Sequence, residues 1–341
     1  MKAEKSSSLL IAEMRQVLEH AGSIGIVTHV RPDGDAIGSL LGLGLALHAK
    51  GKAVQMVLPT GMSRTFRHLA GSELVQKSFE SPCAVYVSLD CADLKRSRGL
   101  PEGAALDINI DHHITNERFG RINYIQPEAV ATCAILADLL PQLGLAIDEQ
   151  VASALLSGIL SDSIGFRTSN TNRRALEISA ELMRSGADLY ALYNKALVTR
   201  PYNAAKYWGY ALARMQRKDG VVWTSLTLED RRNSGYKLDD DADLTNVLSS
   251  IEEARISVLF VEQSTTKTKI SWRAVPGADV SVLASEFNGG GHPGAAGAEM
   301  HGSLGDIEKT VVERTLSYLH SLEIKAKRGD QGTRNGAANE R

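Results

Sequence analysis

Apolar residues fall along this chain in two patterns, and the change from one to the other divides it. In the first half, short and nearly continuous apolar runs alternate with longer runs at helical spacing. Residues 8–21 read as an amphipathic helix, followed by a buried strand over Ser23–Val30. Ala36–Lys50 reads as a helix stopped by Gly51, a residue suited to the left-handed turn beyond a helix end. Further strands are expected at Ala53–Leu58, closed by Pro59, at Ala84–Leu89 and at Leu106–Ile110. Helices are expected at Val130–Leu140, Glu149–Leu160 and Asn172–Arg184. Continuous apolar strands alternating with helices predict an α/β domain, a mostly parallel sheet covered on both faces.

Beyond Gly186 the pattern weakens, and a linker with a helical part is expected over residues 191–202, between a first domain at 1–190 and a second at 203–324. The second half alternates with period two at Val221–Leu228, Ile256–Glu262 and Lys269–Ala274. Helices are expected there at Asp243–Ser249, Val280–Phe287 and Leu304–His320, which makes a smaller α+β domain. From Lys325 the residues are almost all Lys, Arg, Gly, Asn and Gln, so 325–341 is expected to be a disordered tail.

Composition narrows the chemistry. A length of 341 residues suits two domains, and 43% hydrophobic residues suffice for two cores. A formal net charge of -2 argues against a long nucleic-acid track but not against a small phosphorylated substrate. The three cysteines, Cys83, Cys91 and Cys133, form no metal-ligand spacing and fit a reducing compartment. Cys91 reads as a small buried packing residue. The apolar stretch Leu9–Ala12 stops at Glu13, too short for a signal segment, and Ala36–Ala49 is shorter than a membrane span. A cytoplasmic protein without membrane association is expected.

Four short blocks in the first half carry the candidate chemistry. They hold His29, Asp33 and Asp35; Asp90; Asp111, His112 and His113; and Asp162. The first three follow strand-like runs, and in open α/β sheets the carboxyl ends of strands form the binding crevice. Pro32 and Gly34 suit a tight loop that turns His29 and Asp33 towards one ion and Asp35 towards a second. A lone Asp at a strand end is usually a turn residue, favoured for its backbone hydrogen bonds. The joint occurrence of all four blocks instead indicates ligands for two hard metal ions, the arrangement that cleaves phosphate esters. Carboxylates suit Mg²⁺ and Mn²⁺, and the imidazoles tilt the choice towards Mn²⁺, Fe²⁺ or Co²⁺. In the second half, the run Gly289–Gly297 includes Gly289, Gly290, Gly291 and His292. It reads as a loop whose N–H groups can cradle an anion, with Arg273 upstream as a fork for phosphate or carboxylate.

His29-x3-Asp33-x-Asp35, Asp90, Asp111-His112-His113 and Asp162 together resemble the four motifs of the DHH phosphoesterase superfamily. Gly289–Gly297 with Arg273 resembles its DHH-associated C-terminal domain. The resemblance covers about residues 8 to 322 and lies nearest the nanoRNase (oligoribonuclease) branch, whose members hydrolyse very short RNAs. Many of them also dephosphorylate 3′-phosphoadenosine 5′-phosphate (pAp). It implies one ion held by His29, Asp33 and Asp90, and a second held by Asp35, Asp90, His112 and Asp162, with Asp90 bridging. The cofactors implied are two divalent ions, Mn²⁺ foremost and Mg²⁺ or Co²⁺ as alternatives. His113 would face the phosphate or leaving group, and Asp111 would orient its neighbours. Arg273, His292 and Gly289, Gly290 and Gly291 would hold the substrate across an interdomain cleft. Pro293 departs from the family pattern, in which a polar or basic residue is common, and this bears on substrate preference. Expected partners are short RNA oligonucleotides or small phosphorylated nucleotides, with a homodimer left open. The alternatives are a linear or cyclic dinucleotide phosphodiesterase and a non-catalytic nucleotide-binding module.

Overall fold

The computed structural model describes residues 6–97 and 99–336, and from residue 325 onward the backbone alone. The chain divides into two units between Thr199 and Arg200.

The first unit is built on six strands: β1 (Ser23–Val27), β2 (Ala53–Val57), β3 (Val75–Gln76), β4 (Val85–Leu89), β5 (Ile108–Asp111) and β6 (Ile122–Ile125). Among the described residues they form one sheet in the order β3-β2-β1-β4-β5-β6. Every adjacent pair is parallel. The order reverses between β1 and β4, and such a switch point opens a crevice at the carboxyl ends of the two strands. Two of the four motif blocks follow these two strands directly. The helices are α1 (Ser7–His20), α2 (Gly34–Ala49), α3 (Thr132–Gln142), α4 (Glu149–Asp162), α5 (Arg173–Arg184) and α6 (Leu189–Tyr193).

Helix α2 is buried on nearly all sides, which explains its almost unbroken apolar sequence. Glycines let it lie close to α4. A Cβ on Gly38 would stand 2.5 Å from Ala154 O, and one on Gly34 would stand 2.2 Å from Ser161 Oγ. The start of α2 therefore meets the end of α4, which brings Asp35 to Asp162. Gly158 closes the same contact: a Cβ there would stand 2.2 Å from Cys133 Sγ and 3.2 Å from Asp35 Oδ1. Gly158→Ala is expected to lower the stability of the protein by about 1–3 kcal/mol, the usual cost of overpacking a tight core. A urea unfolding midpoint equal to that of the parent protein would contradict this.

The segment expected as a linker with a helical part, residues 191–202, is helical through Val198. Helix α6 runs into a π-helical turn at Asn194–Val198. Leu192 and Ala196 are buried in the first unit's core, with Leu189, Tyr193 and Leu197 packed against it. Their spacing is that of a helix stripe.

The second unit contains α7 (Tyr202–Ala213), β7 (Gln216–Lys218), β8 (Val221–Leu226), α8 (Leu228–Ser234), α9 (Leu244–Leu248), β9 (Ile256–Ser264), β10 (Lys267–Ala274), α10 (Val280–Glu286), β11 (Gly290–His292), β12 (Ala295–His301) and α11 (Leu304–Gly336). Its sheet is mixed, in the order β11-β12-β10-β9-β8-β7, with β8 and β9 parallel. One core, centred on Trp272 and Phe260, includes residues of α10 and α11. Another gathers α7 and α9 around Leu226, Leu259 and Val261.

One expectation is corrected here. Gly289–Gly297 is not an open loop, because Gly290–His292 and Ala295–His301 pair as an antiparallel hairpin. Gly289 and Gly291 answer close backbone approach, since a Cβ on Gly289 would stand 2.2 Å from Gly297 O and one on Gly291 2.5 Å from Ala295 O. The backbone of α11 continues to Gly336, across most of the segment expected as a disordered tail. Residues 337–341 lie outside the described residues.

Candidate metal centre

The first unit brings six candidate ligands into one cluster. Asp33 is the N-cap of α2, its Oδ1 accepting from the backbone N–H of Asp35 and Ala36 at 3.1 Å each. His29 lies in the loop between β1 and α2. Asp90 follows β4 in a left-handed conformation (φ 53°), uncommon for a residue other than glycine. Asp111 ends β5, and Asp162 ends α4.

The distances divide the cluster around Asp90. Its Oδ2 lies 3.5 Å from His29 Nε2, and its Oδ1 lies 3.7 Å from His112 Nε2. On the first side, His29 Nε2 is also 3.9 Å from Asp33 Oδ1. On the second, His112 Nε2 is 3.7 Å from Asp162 Oδ2 and 4.0 Å from Asp35 Oδ2. The donor sets His29, Asp33, Asp90 and Asp35, His112, Asp162 each converge tightly enough to hold one ion. Asp90 also converges with His112 and His113.

The surroundings aim these donors. His29 Nδ1 lies 2.9 Å from Val30 O, and His112 Nδ1 lies 3.3 Å from Ala129 O. A carbonyl only accepts, so each ring carries its proton on Nδ1 when neutral and offers the Nε2 lone pair. Asp35 caps α3 from outside that helix: its Oδ2 accepts from Thr132 N at 2.6 Å and its Oδ1 from Cys133 N at 2.9 Å. Thr132 Oγ1 donates to Asp90 Oδ1 at 3.2 Å. His113 is committed differently, with its Nδ1 2.7 Å from Asp111 Oδ1.

Without cations, these carboxylates crowd one another. Burial, followed by the charge of Asp90, pushes the Asp35 carboxyl up to about 7. Burial and the charge of Asp35 push Asp162 well above the usual carboxylate range. Burial opposes protonation of His29, but Asp33 and Asp90 outweigh it and hold the ring up to about 10. Burial likewise opposes charge on His113, yet the hydrogen bond to Asp111 raises it. Two donors on one small hard ion stand about 3 Å apart, so the observed spacings need only slight closure. Four carboxylates and two imidazoles, with charge that two divalent ions would balance, fit such a pair.

Several contributors carry no obvious sequence signal: the carbonyls of Val30 and Ala129, the N-terminus of α3, and Asn116, which donates to Asp111 Oδ2 at 2.6 Å. Cys91 is buried and donates to Asp93 O at 3.1 Å, consistent with a packing role.

In the second unit, Arg273 of β10 pairs with Ala295 of β12, which pairs with His292 of β11. Directly paired residues of antiparallel strands share a face, so Arg273 and His292 stand on one face with only Ala295 between them. Arg273 is half-buried and donates from Nη1 to Trp272 O at 3.0 Å, while His292 is exposed.

The DHH family N-terminal domain matches residues 23–159, and the DHHA1 domain matches residues 234–317. The bifunctional oligoribonuclease and PAP phosphatase NrnA of Thermus thermophilus is 36% identical over 314 residues, 91% of this chain and 94% of that protein. The Bacillus subtilis protein of the same name is 26% identical over 80% of this chain and 88% of its own. Among solved structures, an exopolyphosphatase-related protein from Bacteroides fragilis superposes with a TM-score of 0.87 at 29% identity, covering 95% of this chain and 99% of that one. The exonuclease RecJ bound to manganese shares the fold, with a TM-score of 0.52 at 16% identity and coverage of 92% and 94%. This chain belongs to the DHH family and is a phosphoesterase built of a DHH domain and a DHHA1 domain.

Proposed function

We propose that this enzyme is a Mn²⁺-dependent phosphodiesterase that hydrolyses RNAs of two to five nucleotides to mononucleotides and also converts pAp to AMP. The position of Asp90, with one carboxylate oxygen towards each donor set, carries this reading. The relatives named as oligoribonuclease and PAP phosphatase match through both domains, which supports the substrate class. The mixture of imidazole and carboxylate favours Mn²⁺ over Mg²⁺, and the RecJ relative of this fold carries manganese.

His29, Asp33 and Asp90 would hold one ion, and Asp35, Asp90, His112 and Asp162 the other. When bound, such a pair makes water nucleophilic at neutral pH and offsets the charge of the phosphate. Asp111 fixes the His113 ring through Nδ1, so a protonated His113 would donate from Nε2 to the phosphate or the leaving oxygen. Arg273 and His292, on one face of the second unit's sheet, would grip the terminal phosphate. An Arg–phosphate fork is stronger than a neutral hydrogen bond. The edge glycines Gly289, Gly290 and Gly291 would let the substrate approach the backbone there.

Length selection is the test. Tracking a long strand takes a basic groove and aromatic platforms worth about 1–3 kcal/mol per stacked base. The chain is near neutral and only 5% aromatic. With Mn²⁺, the rate is expected to fall steeply from a 5′-labelled RNA dinucleotide to a 24-mer, with pAp also turned over. Equal rates on both lengths, or a cyclic dinucleotide cleaved faster than the linear one, would overturn the assignment.

A further inference from the structure

We infer that Asn116 is a positioning residue for His113, acting through Asp111; this rests on the role proposed above for His113. Asn116 joins three pieces of the site. Its Nδ2 donates to Asp111 Oδ2 at 2.6 Å and to Cys91 O, next to Asp90, at 3.0 Å. Its Oδ1 accepts from Asn109 Nδ2 at 3.0 Å and from Arg118 N at 2.7 Å. Its backbone N–H donates to His113 O at 3.1 Å, closing the turn that carries His113. The other oxygen of Asp111 receives the His112 N–H at 2.8 Å and lies 2.7 Å from His113 Nδ1.

Asp111 is fully buried, and both its oxygens are committed. Turning this carboxylate would break bonds on both sides at once, and a buried group left unpaired is costly. The Asn116 carboxamide thus sets the plane of the carboxylate, and the carboxylate sets the plane of the His113 ring. Asn116 reaches the site through Asp111, a carboxylate that belongs to none of the three converging donor sets. Its removal should therefore disturb His113 without emptying the metal centre.

The isosteric change Asn116→Asp separates this role from simple loop anchoring. An aspartate keeps the acceptor for Asn109 and Arg118 but replaces the donor facing Asp111 with an oxygen. The expected result is a fall in kcat of roughly 10–100-fold, the usual cost of losing a group that orients an active-site residue. KM and bound Mn²⁺ should stay unchanged. Asn116→Ala, which lacks the repulsion, should also lower kcat. In a His113→Ala background either change should cost little more, because residues acting as one unit are not additive. Wild-type kcat in both Asn116 variants, losses that multiply with His113→Ala, or wild-type kcat in His113→Ala itself would overturn the inference. The measurements use an RNA dinucleotide and bis(p-nitrophenyl) phosphate side by side. An enzyme that cleaves only the nitrophenyl ester refutes the substrate assignment, while the same double-variant comparison on that ester still decides the role of Asn116.

Discussion

Asp90→Ala is expected to abolish hydrolysis while the protein stays folded. The Oδ2 of Asp90 stands 3.5 Å from His29 Nε2 and its Oδ1 stands 3.7 Å from His112 Nε2. In the proposed assignment Asp90 bridges the two ions, so both lose a ligand together, bound metal should fall below two ions and the rate should drop by orders of magnitude. The fold should tolerate the change, since it removes one negative charge from a buried group of them. Asp90→Asn, which better accepts the left-handed backbone found here (φ 53°), controls for strain. Metal analysis together with dinucleotide hydrolysis checks the expectation. Near-normal turnover, or two ions retained by the Ala variant, would refute it.

Metal binding is expected to release protons and to tighten steeply with pH. In the metal-free site, burial disfavours a charged His29, but Asp33 and Asp90 hold it up to about 10. Burial also disfavours a charged His112, and Asp35, Asp90 and Asp162 hold it up to about 9. Both rings are therefore cationic at neutral pH, and a ligand imidazole must be neutral. The sign follows directly: below these values each ion displaces protons, so lowering the pH weakens binding, and above them the dependence flattens. Between about pH 6 and 8 the apparent Mn²⁺ affinity should rise roughly tenfold per pH unit for each proton displaced. Calorimetry in two buffers of different ionisation enthalpy counts those protons. An affinity flat across this range, with no proton release, would contradict the coupling.

The strands of the parallel sheet that flank the crevice were legible because each is a continuous apolar run, as in Val85–Leu89. Strand β6 (Ile122–Ile125) was not, since four residues at a sheet edge carry too little pattern. The hairpin of β11 and β12 was hidden for another reason. Ala and Gly are poor strand formers, and Ala295–His301 is a strand through its pairing with β10. The candidate side chains stand out only by their joint occurrence: His29, Asp33, Asp35, Asp90 and His112 follow strands, and Asp162 ends α4. The groups that aim them do not stand out. Any residue supplies a carbonyl, so Val30 and Ala129 carry no mark of the imidazoles they orient. No helical hydrophobic pattern can announce that the start of α3 will hold a carboxylate from α2.

That last contact bears on how relatives of this chain are read. Ala131, at the N-cap of α3, has no side chain to close the helix, and Asp35 takes its place through Thr132 N and Cys133 N. A descendant that had lost hydrolysis would still need Asp35 to begin that helix. Retention of Asp35 is therefore weak testimony to a living enzyme.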